Sequence, residues 1–244
     1  MKIAIHEALL NAPTERERLQ MAHELGADGV EYQAETLAER VEEIALAVGE
    51  GVARPSVVRL GFDLNLVSTD LAVRQAGLDR VRHAMTMAVD IGASGVVFAP
   101  HVGALALPNL MPWRAPNQLA AELLLSHLSW LPDLAYVFEL QLYLLPLPQS
   151  FLANVVLGTE VLRKIKFDRH TKLATHLSDL ATTPLDRLTD AHPHIQHLYV
   201  NGDSLPHTLW DSFKEMNGWV TVAPREGQPA FDLPSTLAQL RAHR

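Results

Sequence analysis

The spacing of apolar positions along this chain changes period in a repeating order. Leu19 to Tyr32 (LQMAHELGADGVEY) opens with apolar residues at helical spacing, breaks at Gly26-Ala27, and resumes after Gly29 as a short apolar run of strand type. Asp79 to Gly103 repeats that grammar. Val81, Ala84, Met85, Ala88 and Val89 recur at helical spacing, Ile91-Gly92-Ala93 closes the helix, and Val96-Val97-Phe98 follows as a buried strand. Two copies of helix, Gly-Ala, polar residue, Gly, strand predict a parallel sheet, because parallel neighbours need a crossover helix between them.

The same reading predicts strands over residues 2–6, 29–33, 56–62, 95–99, 141–145, 172–176, 195–201 and 219–223. Helices are predicted over 14–25, opened by the capping-box run Thr14-Glu15-Arg16-Glu17, and over 36–49, 69–91, 117–139, 151–165, 184–191 and 233–242. Pro132 should break 117–139, since proline fits a first helical turn better than an interior. Asp232 is positioned to cap the last helix. The Pro-rich connection from Gly103 to Pro116 has the length of a functional lid or a mobile loop. Eight strands alternating with helices predict an α/β chain forming one domain over residues 1–244, a (β/α)8 TIM barrel of the usual ~250 residues. The stripe Leu119, Leu123, Leu124, Leu128 should face the barrel, with helix packing in a homodimer left open.

Composition narrows the partners. A formal charge of -8, from Lys+Arg 20 against Asp+Glu 28, with no basic run, argues against nucleic acid. Zero cysteines excludes disulfides, thiolate nucleophiles and Cys-ligated metals. Met1 to His6 reads as a strand beginning at the initiator, with no signal-peptide core or spanning apolar run, so a soluble cytoplasmic protein with no membrane partner is expected. There is no GxGxxG after a strand, and no Walker, HExxH or GxSxG motif.

Candidate site residues come from the carboxyl ends of the strands, where such barrels keep their chemistry. The two-residue period puts Ala174 with His176 on one face, His197 with Tyr199 and Asn201, and Thr221 with Ala223 and Arg225. His176, Tyr199, Asn201 and Arg225 should therefore approach the mouth. Glu31 lies in an apolar strand, where an acid is costly to bury without a partner; its alternative role is an ion pair stabilising the barrel. His101, ending strand four, suits acid/base or substrate contact, with loop capping as the alternative. His6 is a weaker candidate of the same kind, Asn65 leaves the end of strand three toward the same mouth, and Glu7 reads as solvated. Arg225-Glu226-Gly227 could bind an anionic group or pair with itself at the rim. Asp203-Ser204 could cap a turn. His192-Pro193-His194 precedes strand seven and falls at the opposite, amino-terminal face.

In order, MKIAI, LGADGVEY, AVDIGASGVVFAPH, LYLLPL, IQHLYVNGDS, GWVTVAP and FDLPSTLAQLRAH make the whole chain resemble the xylose isomerase-like barrels, the sugar isomerase/epimerase and endonuclease IV-like superfamily. The resemblance implies a divalent ion (Mn, Mg, Co or Zn) held by Glu, Asp, His and Glu from strands five to eight, which polarises a sugar carbonyl or enediolate. It also implies a pocket acid at Glu31. The chain departs from that pattern at the ligands: Leu145 and Ala223 stand where the resemblance implies Glu, Ala174 or His176 where it implies Asp, and Tyr199 where it implies His. No cofactor is therefore expected at the usual position; zinc held by Glu31, His101 and His176 is the alternative. Three functional readings follow. The first is a sugar or polyol isomerase/epimerase-like enzyme acting on a small carbohydrate-like ligand, with Glu31, His101 or His176 as acid/base, His6, Asn65, Tyr199 and Asn201 as substrate contacts, and Arg225 steadying an oxyanion or phosphate. The second is a catalytically inactive barrel that binds a small molecule or a protein. The third is a metal-dependent isomerase or hydrolase with an atypical His/Glu site.

Overall fold

In the computed structural model, which describes residues 1–165, 170–181, 183–202, 210, 212–213, 215–224 and 231–242, eight parallel strands follow one another in sequence order around a closed barrel. They are β1 (Lys2–His6), β2 (Gly29–Gln33), β3 (Arg54–Arg59), β4 (Gly95–Phe98), β5 (Gln141–Leu144), β6 (Thr171–His176), β7 (Ile195–Val200) and β8 (Trp219–Val222). Closure comes from β8 returning to β1, with Trp219 opposite Lys2 and Val222 opposite Ile5. Around them run α1 (Glu15–Glu24), α2 (Ala34–Leu37), α3 (Val41–Ala47), α4 (Leu71–Asp90), α5 (Pro116–Leu128), α6 (Leu131–Val137), α7 (Val155–Leu162), α8 (Leu177–Leu180), α9 (Leu185–Ala191) and α10 (Leu233–Ala242). Among the described residues no helix is long and apolar enough to cross a membrane.

The repeated Gly-Ala-polar-Gly unit has a physical explanation. After α1, Gly26 takes φ +78°, its N–H bonding His23 O and that of Ala27 bonding Ala22 O at 2.8 and 2.9 Å. After α4, Gly92 takes φ +71°, and the equivalent bonds run to Val89 O and Ala88 O at 3.0 and 2.8 Å. Both are Schellman closures, which need a residue tolerant of the left-handed region. The second glycine of each unit opens a strand facing the barrel interior. A Cβ at Gly29 would meet Trp219, and one at Gly95 would run into Gln141 O and the Tyr143 ring. These glycines make room for the aromatic side chains that fill the lower lumen. Trp219 closes that end, donating to Ser94 Oγ at 2.8 Å beneath Lys2 Nζ, 5.2 Å from its ring. A third closure follows α6, with Glu139 at φ 56° in place of glycine and Leu140 N bonded to Ala135 O at 2.9 Å.

Strand alternation separates two apolar regions. Ile3, Ile5, Val30, Val96, Phe98, Leu142 and Leu144 pack outward against the helices. Ala4, Val57, Val97, Ala99, Tyr143, Leu145, Ala174, Tyr199, Trp219 and Ala223 form a separate cluster inside the barrel.

Several predicted elements shift for local reasons. The helix predicted over 36–49 is two, broken at Arg40, whose Nε returns to Thr36 O at 2.9 Å. Strand three runs over 54–59 rather than 56–62, pairing from Gly29 of β2 opposite Arg54. The helix predicted from 151 starts at Val155, because Asn154 Oδ1 accepts from the N–H groups of Val156 and Leu157, both at 3.1 Å. Thr14 does cap α1, and Pro132 does sit in the first turn of a separate helix. Glu7 is not solvated: it accepts from Gln33 N–H and Arg40 Nη2, both at 2.7 Å. Arg40 also bonds Glu15 Oε1 at 2.9 Å, so one ion-pair network fixes α1 and α3 against β2.

Two substitutions test this account by urea unfolding. Gly95→Ala is expected to cost at least about 1–3 kcal/mol, the cost of overpacking a filled interior. Glu139→Gly is expected to stabilise by roughly 1 kcal/mol by relieving the left-handed residue. An unchanged midpoint for either variant would count against the corresponding argument.

Candidate functional site in the barrel mouth

The inward-facing positions at the carboxyl ends of β1, β2, β3 and β7 are polar. Glu31 is fully buried. Its Oε2 accepts from the Tyr199 hydroxyl at 2.9 Å and lies 3.4 Å from His197 Nε2. Its Oε1 lies 3.5 Å from Arg59 Nε and 3.9 Å from His6 Nε2. Arg59 is held in turn by Gln33, whose Oε1 accepts from Nε and Nη2, both at 3.3 Å. Thr221 Oγ1 sits 3.0 Å from His197 Nε2.

Electrostatics fix the protonation of this group. Burial alone would push the Glu31 carboxyl up, but the Arg59 charge, a hydrogen bond from His197 and the nearby imidazoles outweigh it and hold it at about 2. Burial and then the Glu31 charge raise Tyr199 well above the usual phenol range, so it stays protonated and donates. Burial lowers His6 more than Glu31 raises it, leaving the ring neutral. Two donors compete for its one lone pair: Arg59 Nη2 at 2.8 Å from Nε2 and Ala8 N–H at 3.1 Å from Nδ1. The shorter, charge-assisted contact favours a bare Nε2. A carboxylate with a pKa near 2 and no exposed surface is a weak base with no access to a ligand.

The inward positions near the ends of β4, β5, β6 and β8 include an apolar set. Leu145, Leu147, Ala99, Ala174 and Ala223 belong to the inner cluster, with Val102 packed on it. Two of the positions where the resemblance implied metal ligands, Leu145 and Ala223, carry only hydrocarbon, and the third falls on either Ala174, also hydrocarbon, or the single imidazole of His176. The fourth, Tyr199, gives its hydroxyl to Glu31. These residues do not fit a divalent ion, which needs several oxygen or nitrogen donors. Among the described residues no three His, Asp or Glu side chains gather in an arrangement that could hold a metal ion, so Glu31, His101 and His176 do not form the alternative zinc set.

Asn65 and His101 meet where the loops after β3 and β4 pair in an antiparallel bridge, braced by Leu66 N–H bonding Pro100 O at 2.9 Å. Asn65 Oδ1 and His101 Nδ1 are both buried and have no hydrogen-bond partner among the described residues. Burial lowers His101 against the pull of the Ala104 backbone, so its ring is neutral. His176 ends β6, buried, its ring 5.1 Å from that of Tyr199. Asn201 follows β7 and is also buried. Arg225, with Glu226 and Gly227, and Asp203-Ser204 lie outside the described residues. His192 and His194 stand at the amino-terminal end of β7, as expected.

The structure thus brings Glu31, His6 and Tyr199 into one cluster, and Asn65 and His101 into another. Sequence reasoning missed Arg59 and Gln33 and left His197 without a role. The signal for Arg59 was present: it ends the apolar run Val57-Val58 on the inward face of Val57. Its guanidinium lies 5.7 Å from both the Phe62 and Tyr199 rings.

No protein-family model matches the chain, and no curated protein matches its sequence. Solved structures do. A 3-keto-D-glucoside 4-epimerase from E. coli, YcjR, superposes with TM-score 0.80 at 19% identity, covering 99% of both chains. D-psicose 3-epimerase with D-tagatose, from Clostridium cellulolyticum H10, gives TM-score 0.73 at 14% identity over 98% of this chain and 89% of that one. The IolI protein with a zinc atom gives 0.77 at 14%, over 100% and 96%. The fold these structures share with the chain is the (β/α)8 TIM barrel.

The buried pair makes stability depend on both partners. Glu31→Gln is expected to cost about 3–5 kcal/mol by leaving Arg59 unmatched. Adding Arg59→Met should restore most of that loss. Because Glu31 titrates lower folded than unfolded, its contribution is complete above pH 4.5 and lost as pH falls from there toward about 2. Unfolding free energies across that range should lose part of their slope in the double variant. A single variant as stable as wild type would refute the assignment.

Proposed function

We propose that this barrel binds a small neutral carbohydrate or polyol in its carboxyl-terminal mouth, without a metal at the position the resemblance implies. The observation that carries this reading is the mixed lining of the mouth. Leu145, Leu147, Ala99 and Ala223 offer hydrocarbon. Between and beside them stand the polar side chains of Asn65, His101, His176 and Asn201. A sugar ring has the same mixture, with C–H faces and hydroxyl edges, and concave sites that mix apolar walls with a few polar groups suit it.

Among the described residues, charge favours a neutral ligand over a phosphate. The Arg59 cation is matched by Glu31, and burial keeps His6 and His101 uncharged. Glu31 serves as a positioning residue, orienting Arg59 and Tyr199, rather than as the acid/base. The epimerases among the structural neighbours support a carbohydrate ligand.

A second reading, metal-independent isomerisation or epimerisation, is favoured by one observation. His101 presents a neutral, buried ring with Nδ1 unpartnered among the described residues. Such a group can take a proton from a carbon next to a sugar carbonyl.

Thermal unfolding with a panel of neutral ketoses, aldoses and polyols, each with its phosphate ester and with or without Mn2+, tests binding. A ligand at about 100 times its Kd should stabilise by about 2.7 kcal/mol, or roughly 5–10 °C for a chain of this size. Asn65→Ala and His176→Ala should each weaken binding about tenfold or more, and Mn2+ should add nothing. Protection by phosphate esters alone, or only with Mn2+, would overturn the first reading. Deuterium uptake by the bound sugar from D2O, abolished in His101→Gln, would establish the second; no uptake with any bound sugar would exclude it.

A further inference from the structure

The mouth is not the only concavity that the loops form. A cavity of about 600 Å3 lies on the flank of the barrel between α5 and α7. Another, of about 520 Å3, lies between the loops that follow β4 and β5. Asn117, Phe151 and Leu157 line both, so the two make one groove. Its inner end approaches the mouth, because the Phe151 ring is 6.2 Å from that of His101. Gly103 N–H donates to Gln149 O at 2.9 Å, tying the two loops together along that end.

The lining has a definite chemistry. Trp113 borders the outer part and is 77% exposed, a large aromatic face left in water. Phe151 and Leu157 supply an apolar base. Asn117 and Gln149 bring amide side chains for which no hydrogen bond is present among the described residues. Four charged residues border the outer cavity: Arg114 and Lys164 against Glu122 and Glu160, formally balanced. Arg114 and Glu122 are paired at 2.8 Å. An exposed indole beside free amides, with no net charge, suits a neutral sugar, whose C–H face lies on an aromatic ring while its hydroxyls reach the amides. A phosphate or nucleotide would call for an excess of Arg or Lys. Both volumes fall within the ~300–1,000 Å3 typical of small-molecule sites.

We infer that this groove receives the rest of a glycoside, a second sugar or an uncharged aglycone, whose first sugar occupies the mouth beside His101. The inference rests on the mouth reading above and extends it: the preferred ligand is a neutral glycoside or short oligosaccharide rather than a free monosaccharide. Trp113 is the main platform for the added unit, and Asn117, at the junction of the two cavities, supplies polar contact.

Isothermal titration of the full chain with glucose, galactose and mannose, and with disaccharides and 4-nitrophenyl glycosides of each, tests it. At least one glycoside should bind at least about tenfold more tightly than its parent sugar. Trp113→Ala should remove that gain and leave monosaccharide affinity within about twofold, and Asn117→Leu should reduce it. Trp113 is on the surface, and unaltered thermal unfolding of each variant checks that folding is intact. Equal affinity for sugar and glycoside, or a gain that survives both substitutions, would overturn the groove and leave the mouth reading standing. Glycoside binding that depends on Trp113, with no monosaccharide binding and no effect of His176→Ala, would overturn the mouth reading and, with it, the placement of the first sugar beside His101. No binding by any of these carbohydrates at millimolar concentration would overturn both.

Discussion

A carboxylate with no exposed surface, set inside a barrel, has to be matched by a cation, and that requirement organises the upper lumen. Glu31 loses its hydration on folding, which costs several kcal/mol unless other charges and donors replace the water. Tyr199 and His197 replace it at Oε2, and the Arg59 charge compensates Oε1, which has no hydrogen-bond partner among the described residues. Each is then constrained: the phenol must keep its proton to donate, the guanidinium must lie across the strand ends, and His6 must stay neutral beside it. Gln33 and, from outside the barrel, the Glu7–Arg40–Glu15 network hold the strand that carries Glu31. What looks from sequence like scattered polar strand ends is one charge-balanced unit.

That unit also determines what remains for a ligand. With its cation used internally and its carboxylate at a low pKa, the cluster offers little net charge and no accessible base. The rest of the upper lumen is hydrocarbon from β5, β6 and β8 with polar side chains from the loops after β3 and β4 and the ends of β6 and β7. A similar balance recurs on the flank, where Arg114 and Lys164 stand against Glu122 and Glu160 around an exposed indole. The neutral, two-faced ligand proposed above matches both surfaces.

Much of this architecture was legible one residue at a time. The alternation of periods, the Thr14 cap, the Pro132 break and the Gly26-Ala27 and Gly92-Ala93 closures are local events, governed by backbone geometry within a few residues. Where local chemistry was disguised, reading failed: Glu139 performs a glycine's turn with a side chain attached, and Asn154 starts a helix four residues later than its apolar pattern suggested.

The sequence by itself therefore determined the eight strands and their alternation with helices, their parallel order, the inward faces of the strands, and the absence of donor atoms at Leu145 and Ala223. Those follow from composition and from periods of two and 3.6 residues, which involve near neighbours only. Tertiary structure alone decided that Glu31 meets Arg59 and Tyr199, that Asn65 meets His101, that Glu31, His101 and His176 stay apart as metal ligands, and that the loops after β4 and β5 share a groove. Such meetings depend on the closure of the barrel and the relative stagger of its strands, which bring together residues as far apart in the chain as Glu31 and Tyr199. No local pattern encodes that distance, because it is a sum over every strand pairing between them.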